Sequence, residues 1–135
     1  MLRQLGEEHP RFVINRGYDK HLTLYPEKVW DEKRKVIDEL SMFVEEERLV
    51  IRYFYGGANK VILDNSDRIL IPKILLDHAG IKGELVVFAF QDIIELWSSD
   101  EHEKMVNAEP DNIGEITERI IRAKREELKR TMNSD

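Results

Sequence analysis

In the middle of the chain, apolar β-branched and leucine positions flank a polar tetrapeptide. The pattern Lys60-Val-Ile-Leu-Asp64, Asn65 to Arg68, Ile69-Leu-Ile71 predicts a strand, a tight turn and a second strand. Pro72 follows, where a missing N–H costs a helix start nothing, and Gly80 stands where a left-handed residue ends one, so a short helix is expected over Lys73 to Ala79. Next come the apolar run Glu84 to Phe90, the polar pair Gln91-Asp92 and the run Ile93 to Trp97, which read as a second hairpin. Ser98 and Glu101 have capping-box spacing and predict a helix from Ser99.

Phe12-Val-Ile14 and Leu22 to Tyr25 predict two more strands nearer the start. Val29, Trp30, Lys33, Val36, Ile37 and Leu40 recur at helical spacing over Glu27 to Leu40, and Val44 to Phe54 suits a helix with Leu49 and Tyr53 turned inward. Gly56-Gly57 breaks that pattern. Beyond Pro110, Ile113, Ile116, Ile120, Ala123 and Leu128 form a thin apolar stripe on a highly charged helix over Ile113 to Arg130.

The order of elements repeats. Leu2 to Gly6 resembles Leu76 to Gly80 and Phe12-Val-Ile14 resembles Val86-Val-Phe88 at one spacing; with a two-residue difference in the turn, Leu22 to Tyr25 matches Ile94 to Trp97. A helix follows each, opened by Pro26 and by Ser98, and an internal duplication accounts for this. The first copy's opening strand-turn-strand would then fall before Met1, about 25 to 35 residues at ordinary strand lengths. Without it, Phe12 to Ile14 and Leu22 to Tyr25 are expected to form half a barrel with an unpaired edge. The expected organisation is a first, incomplete repeat with its linking helix over 1–42, a second repeat over 43–109, and a charged C-terminal helix over 110–135.

Composition narrows the class. A chain of 135 residues with 41% hydrophobic residues buries one modest core. The lack of cysteine removes disulfides and thiolate metal sites, no apolar run approaches the roughly 20 residues that cross a bilayer, and Met1 to Gly6 lacks a secretory signal's apolar stretch, so a soluble intracellular protein is expected. The net charge of -6 opposes indiscriminate adhesion to nucleic acid. The charge is uneven, however: from Arg52 to Leu75 the cations Arg52, Lys60, Arg68 and Lys73 face only Asp64 and Asp67, a local balance of +2.

Catalytic patterns find no support. His9, His21, His78 and His102 lie in no metal-ligand spacing and read as surface or helix-edge histidines; no serine sits in a nucleophile elbow; Gly56 to Lys60 lacks the second glycine of a phosphate loop and reads as a hinge. The expectation is no enzyme, no metal and no cofactor. The segment with chemical content is Asp64-Asn65-Ser66-Asp67-Arg68-Ile69-Leu70-Ile71-Pro72. Asp64 at the turn entrance can accept backbone N–H bonds and Pro72 fixes the exit, making these the turn-structuring residues. Arg68 is then held outward, suited to a bidentate contact with a guanine edge or to a phosphate, with Asn65, Lys60 and Lys73 as supporting DNA contacts. The competing reading is a plain Asp64–Arg68 ion pair across the turn.

Asp64-x-x-x-Arg68-Ile-x-Ile71-Pro72, the helix ending at Ala79-Gly80, the preceding Arg52-Tyr-Phe-Tyr-Gly-Gly-Ala58 and the closing Ile94-Glu-Leu-Trp97 together resemble the second half of MraZ proteins. Phe12-Val-Ile-Asn-Arg-Gly17, Leu22-Thr-Leu-Tyr-Pro26 and Trp30 resemble the first half, so the likeness covers about residues 2 to 106. It implies an α+β fold of tandem AbrB-like swapped-hairpin β-barrel repeats with linking helices and a C-terminal helix. It also implies a ring-like homo-oligomer without membrane attachment, cytoplasmic and nucleoid-associated. The implied role is repression, by binding repeated operator boxes in double-stranded DNA ahead of the division and cell-wall gene cluster. In the family the turn reads Asp-x-x-Gly-Arg, with the arginine facing DNA; here Asp67 replaces the glycine. That departure leaves open a homologue that keeps the fold and has weakened or lost DNA binding, and, further off, an antitoxin-like module.

Overall fold

The computed structural model describes residues 10–133, which fall into two compact units divided between Glu103 and Lys104. Leu2 to Gly6, part of the repeat argument, lie outside the described residues. The elements in order are β1 (Arg11–Arg16), β2 (Leu22–Pro26), α1 (Glu27–Ile37), α2 (Glu45–Gly56), β3 (Asn59–Ile62), α3 (Lys73–Ala79), β4 (Leu85–Phe90), β5 (Ile93–Ser98), α4 (Ser99–Asn107) and α5 (Ile113–Met132). The fold is α+β: one antiparallel sheet in the order β3-β1-β2-β5-β4, with helices against it.

The two hairpins interleave with the rest of the chain. β1 pairs with β2 on one side and with β3 on the other, and β2 pairs with β5, so strands from both halves of the sequence share one sheet. At the centre Thr23 lies opposite Glu95, Leu22 opposite Leu96 and Leu24 opposite Ile94. In the repeat alignment Thr23 corresponds to Glu95, Leu22 to Ile94 and Leu24 to Leu96, so each residue faces its own counterpart or the counterpart of its neighbour two positions on. This is the register of a local two-fold.

Followed outward, that register corrects the sequence alignment by one residue. Val13 pairs with Tyr25 and Ile14 with Leu24, while Val86 pairs with Trp97 and Val87 with Leu96. The counterpart of Val13 is therefore Val86, and that of Phe12 is Leu85 rather than Val86. β4 is apolar at every position and the aligned Phe12 to Ile14 of β1 are all apolar, so similarity alone cannot choose between registers that turn every side chain to the opposite face.

Two further expectations change. The edge expected to be bare at β1 and β2 is paired on both sides; among the described residues the outer strands are β3 and β4. Ile69 to Ile71 form no strand, because Ile69 and Ile71 fold onto the core while the ladder of β3 is taken by β1.

One face of the sheet buries Phe12, Ile14, Leu22, Leu24, Val61 and Leu96 beneath Leu75 and Ala79 of α3. Each large apolar side chain there contributes about 1.5 to 3 kcal/mol of burial. The opposite face buries Val13 with Trp30 of α1 and Phe54 of α2, whose rings stack at 4.2 Å. Asn15 donates from Nδ2 to the Phe54 carbonyl at 2.7 Å, and Arg16 donates to the Tyr53 carbonyl at 2.9 Å, so two side chains of β1 satisfy carbonyls in the last turn of α2. Leu49, expected inward, is exposed, and Phe54 occupies the inward position at the end of that helix.

In the second unit α5 runs for 20 residues with Ile113, Ile120 and Leu128 of the expected stripe exposed. Among the described residues no helix is long and apolar enough to cross a membrane.

Candidate nucleic-acid interface

The turn after β3 is built by one carboxylate. Asp64 Oδ1 accepts the backbone N–H of Ser66 at 2.8 Å and that of Arg68 at 2.9 Å. The backbone closes the same loop: the Asp64 N–H donates to the Arg68 carbonyl at 2.8 Å and the Asp67 N–H to the Asp64 carbonyl at 3.0 Å. Four hydrogen bonds within five residues leave Arg68 on a pinned base. Its side chain is 76% exposed, and its Nε lies 3.7 Å from Asp64 Oδ2. An ion pair that long and that wet is worth at most a few tenths of a kcal/mol, so little opposes the guanidinium's transfer to another anion. The plain ion pair thus exists, and it is weak.

Asp67 occupies the left-handed region at φ 59°. The resemblance placed glycine here, and the backbone keeps the conformation that glycine adopts freely. Aspartate is among the L residues that tolerate it best, at a cost of about 1 kcal/mol.

Asn65 shares the exposed turn with Arg68, while Lys60 is exposed on β3 and Lys73 is exposed at the first position of α3. Lys60 stands four residues before Asp64, roughly 13 Å away at strand rise, so it is not part of the turn itself. Pro72, at φ -56°, is the N-cap of α3. That helix ends on Gly80 at φ 68°, with the Ile81 N–H donating to the Leu76 carbonyl at 2.9 Å in a Schellman closure.

A second polar cluster was not foreseen. His21, read as a surface or helix-edge residue, is buried: its ring stacks on Trp97 with centroids 4.4 Å apart, and Nε2 lies 3.1 Å from Glu95 Oε2. Trp97 Nε1–H donates to the other Glu95 oxygen at 3.1 Å. A Cβ on Gly17 would fall 2.0 Å from the imidazole, so only glycine fits beside it. Burial holds the His21 pKa below its ordinary value of 6.5, against the upward pull of the Glu95 and Asp19 carboxylates and with a smaller downward push from His78. The sequence signal was present in the Gly17-x-x-x-His21 spacing, but a strand-end histidine gives no sign of its partner 74 residues away. Among the described residues no group of three potential ligands could hold a metal ion.

The described residues form an α+β sheet of interleaved antiparallel hairpins that presents a carboxylate-closed arginine turn to solvent. Residues 54–123 match the family model described as "MraZ protein, putative antitoxin-like". The chain is 31% identical to the protein named Transcriptional regulator MraZ of Ligilactobacillus salivarius, over 87% of this chain and 80% of that one. It is 32% identical to the protein of that name from Christiangramia forsetii, over 82% of this chain and 72% of the relative. It is 29% identical to that of Cytophaga hutchinsonii, over 81% and 72%. The chain belongs to the MraZ family.

Proposed function

We propose that this chain is a sequence-specific DNA-binding transcriptional regulator, acting as a repressor, and that Arg68 reads the DNA. The observation that carries this is a guanidinium, 76% exposed, on a turn locked by the Asp64 carboxylate, so that little backbone entropy remains to be lost on binding. Arg68 meets a guanine edge or a phosphate, while Asn65, Lys60 and Lys73 make positioning contacts to the backbone. The names of the relatives support regulation as the role and speak for no catalysis. The chain works as a homo-oligomer, ring-like, on repeated boxes ahead of the division and cell-wall gene cluster, on the nucleoid in the cytoplasm. Its organisation is that of a first, incomplete repeat with its linking helix over 1–42, a second repeat over 43–109 and a charged C-terminal helix over 110–135.

The test is a filter-binding titration with the DNA upstream of the chain's own coding sequence. Arg68→Ala is expected to lose at least tenfold in affinity, about 1.4 kcal/mol, with melting temperature held within a few degrees. Unchanged affinity removes Arg68 from the site. Lys60→Ala and Lys73→Ala are expected to weaken all sequences alike and to flatten the salt dependence by about one unit each.

Asp67 favours a second reading, a member that keeps the fold with weakened DNA binding. Its carboxylate beside Arg68 repels phosphate by about 1 kcal/mol at 4 Å in a water-like dielectric. Failure of the unaltered chain to bind this DNA saturably selects that reading.

A further inference from the structure

Between β1, β2, α1 and the end of α2 lies a cavity of about 220 Å³, lined by Tyr25, Tyr53, Phe54 and Ile37 and by the cations Arg16 and Lys33. In a chain of net charge -6 this lining carries two positive charges and, among the described residues, no carboxylate. The fold fixes Arg16 from three sides. Its Nη2 donates to the Tyr53 carbonyl at 2.9 Å, its guanidinium carbon lies 4.2 Å from the centre of the Tyr53 ring, and a Cβ on Gly57 would fall 2.6 Å from its Nε, so glycine is needed to leave it room. Lys33 Nζ lies over the Tyr25 ring, 5.9 Å from its centre. Holding a carbonyl of α2 requires only one neutral donor, as Asn15 supplies to the Phe54 carbonyl, so the charge of Arg16 is left over. Its Nε is buried without a hydrogen-bond partner, and among the described residues neither Arg16 nor Lys33 is ion-paired. A part-buried guanidinium without a counter-charge is costly, and an anion in the cavity relieves that cost.

We infer that this cavity is a binding site for a small aromatic carboxylate, one planar ring bearing one anionic group. The carboxylate meets the Arg16 guanidinium and the Lys33 ammonium, in charge-assisted hydrogen bonds stronger than those between neutral groups. The ring lies among Tyr25, Phe54 and Ile37, where it displaces water from apolar and aromatic walls. Size narrows the class further. Pockets for drug-sized ligands occupy about 300 to 1,000 Å³, so a space of about 220 Å³ suits a single ring with its acid group rather than a nucleotide. An aliphatic acid would leave the aromatic walls unused, and a neutral ring would leave the two charges unused. The walls are set before a ligand arrives, because the Trp30–Phe54 stack and the bonds from Asn15 and Arg16 tie β1, α1 and α2 together, which lowers the cost of ordering on binding. The cavity shares no lining residue with the Arg68 turn, so the inference does not rest on the proposed DNA contact.

The experiment titrates benzoate against the full chain, without DNA, and reads saturation transfer to the ligand protons by NMR. Saturable binding is expected with a Kd of about 1 mM or tighter. Benzamide, which keeps the ring without the charge, and acetate, which keeps the charge without the ring, are each expected to bind at least tenfold more weakly. Arg16→Gln retains a donor for the Tyr53 carbonyl and removes the charge; it is expected to weaken benzoate at least tenfold and to leave benzamide unchanged. Lys33→Gln alters an exposed position of α1, leaves the fold intact by circular dichroism and is expected to weaken benzoate about threefold, the worth of one solvent-exposed ion pair. This second variant carries the test where Arg16→Gln does not fold. Absence of saturable benzoate binding, binding of benzamide or acetate as tight as that of benzoate, or benzoate binding indifferent to both substitutions overturns the proposal. Arg68→Ala leaves this titration unchanged, so failure of the DNA reading and failure of the carboxylate site are told apart.

Discussion

Asp67 carries two separable costs, one conformational and one electrostatic. Its φ of 59° is a glycine conformation held by an L residue, and its carboxylate adjoins the one arginine of the turn. Asp67→Gly is expected to relieve backbone strain by about 0.5 to 1 kcal/mol, less than the full left-handed penalty because glycine loses more freedom on folding. The same change raises the local balance by one charge and is expected to tighten DNA binding about fivefold, the worth of one repulsion near 1 kcal/mol. Asp67→Asn separates the causes, since asparagine tolerates the left-handed region and carries no charge. If Asn matches Gly in affinity but not in melting temperature, charge governs binding and φ governs stability; if neither variant alters affinity, Asp67 does not disturb the site.

His21 is the other residue whose environment makes a measurable demand. An imidazole whose folded pKa lies below its unfolded value binds fewer protons folded than unfolded, so its contribution is present above about pH 6.5 and is lost as pH falls through that value. Urea midpoints are expected to drop between about pH 7.5 and about pH 5.5. The part due to His21 is the portion of that drop missing in His21→Gln, because the carboxylates titrate in both. A drop of equal size in the two proteins assigns the acid sensitivity elsewhere. At this scale Asp64, Arg68 and Pro72 were legible because their partners lie within a few residues. His21 was not, because Glu95 and Trp97 reach it only through the pairing of β2 with β5.

At the scale of elements, punctuation was readable and pairing was not. Pro72 and Gly80 bracket α3 as their chemistry dictates, and Ser98 Oγ accepts the Glu101 N–H at 3.1 Å at the start of α4. The strands at β1, β2, β4 and β5 also stand where the apolar runs placed them. Ile69 to Ile71 misled because two isoleucines in an extended stretch read alike whether they ladder with a strand or lie on a core. The one-residue shift between β1 and β4 has a similar origin: an unbroken apolar strand contains no polar marker of its face. A local two-fold is a property of hydrogen-bond register, and the sequence holds it only as a resemblance between hairpins.

On the proposed function, the molecule as a whole has to reconcile an acidic surface with DNA, an anionic ligand. At a net charge of -6, one arginine turn with a local balance of +2 supplies too few phosphate contacts for tight binding by a lone copy at physiological salt. Several copies on one assembly change this, because once one turn is bound the next meets its box at an effective concentration set by geometry rather than by bulk. The surface is suited to association: Ile62 and Leu70 near one sheet edge and Val87 and Phe88 at the other are exposed, and exposed apolar edges of this kind are rarely left uncovered in a small protein. Light scattering at micromolar concentration is therefore expected to find a particle several times the 16.0 kDa chain mass. In a parallel titration at one salt concentration, DNA with two correctly spaced boxes is expected to bind at least about 100-fold more tightly than DNA with one, with no new contact made. The advantage is expected to vanish when the spacing is altered by half a helical turn, which moves the second box to the far side of the duplex. A 16.0 kDa particle that binds one box and two with the same affinity per box would show that each copy works alone, and would leave the acidic surface without compensation.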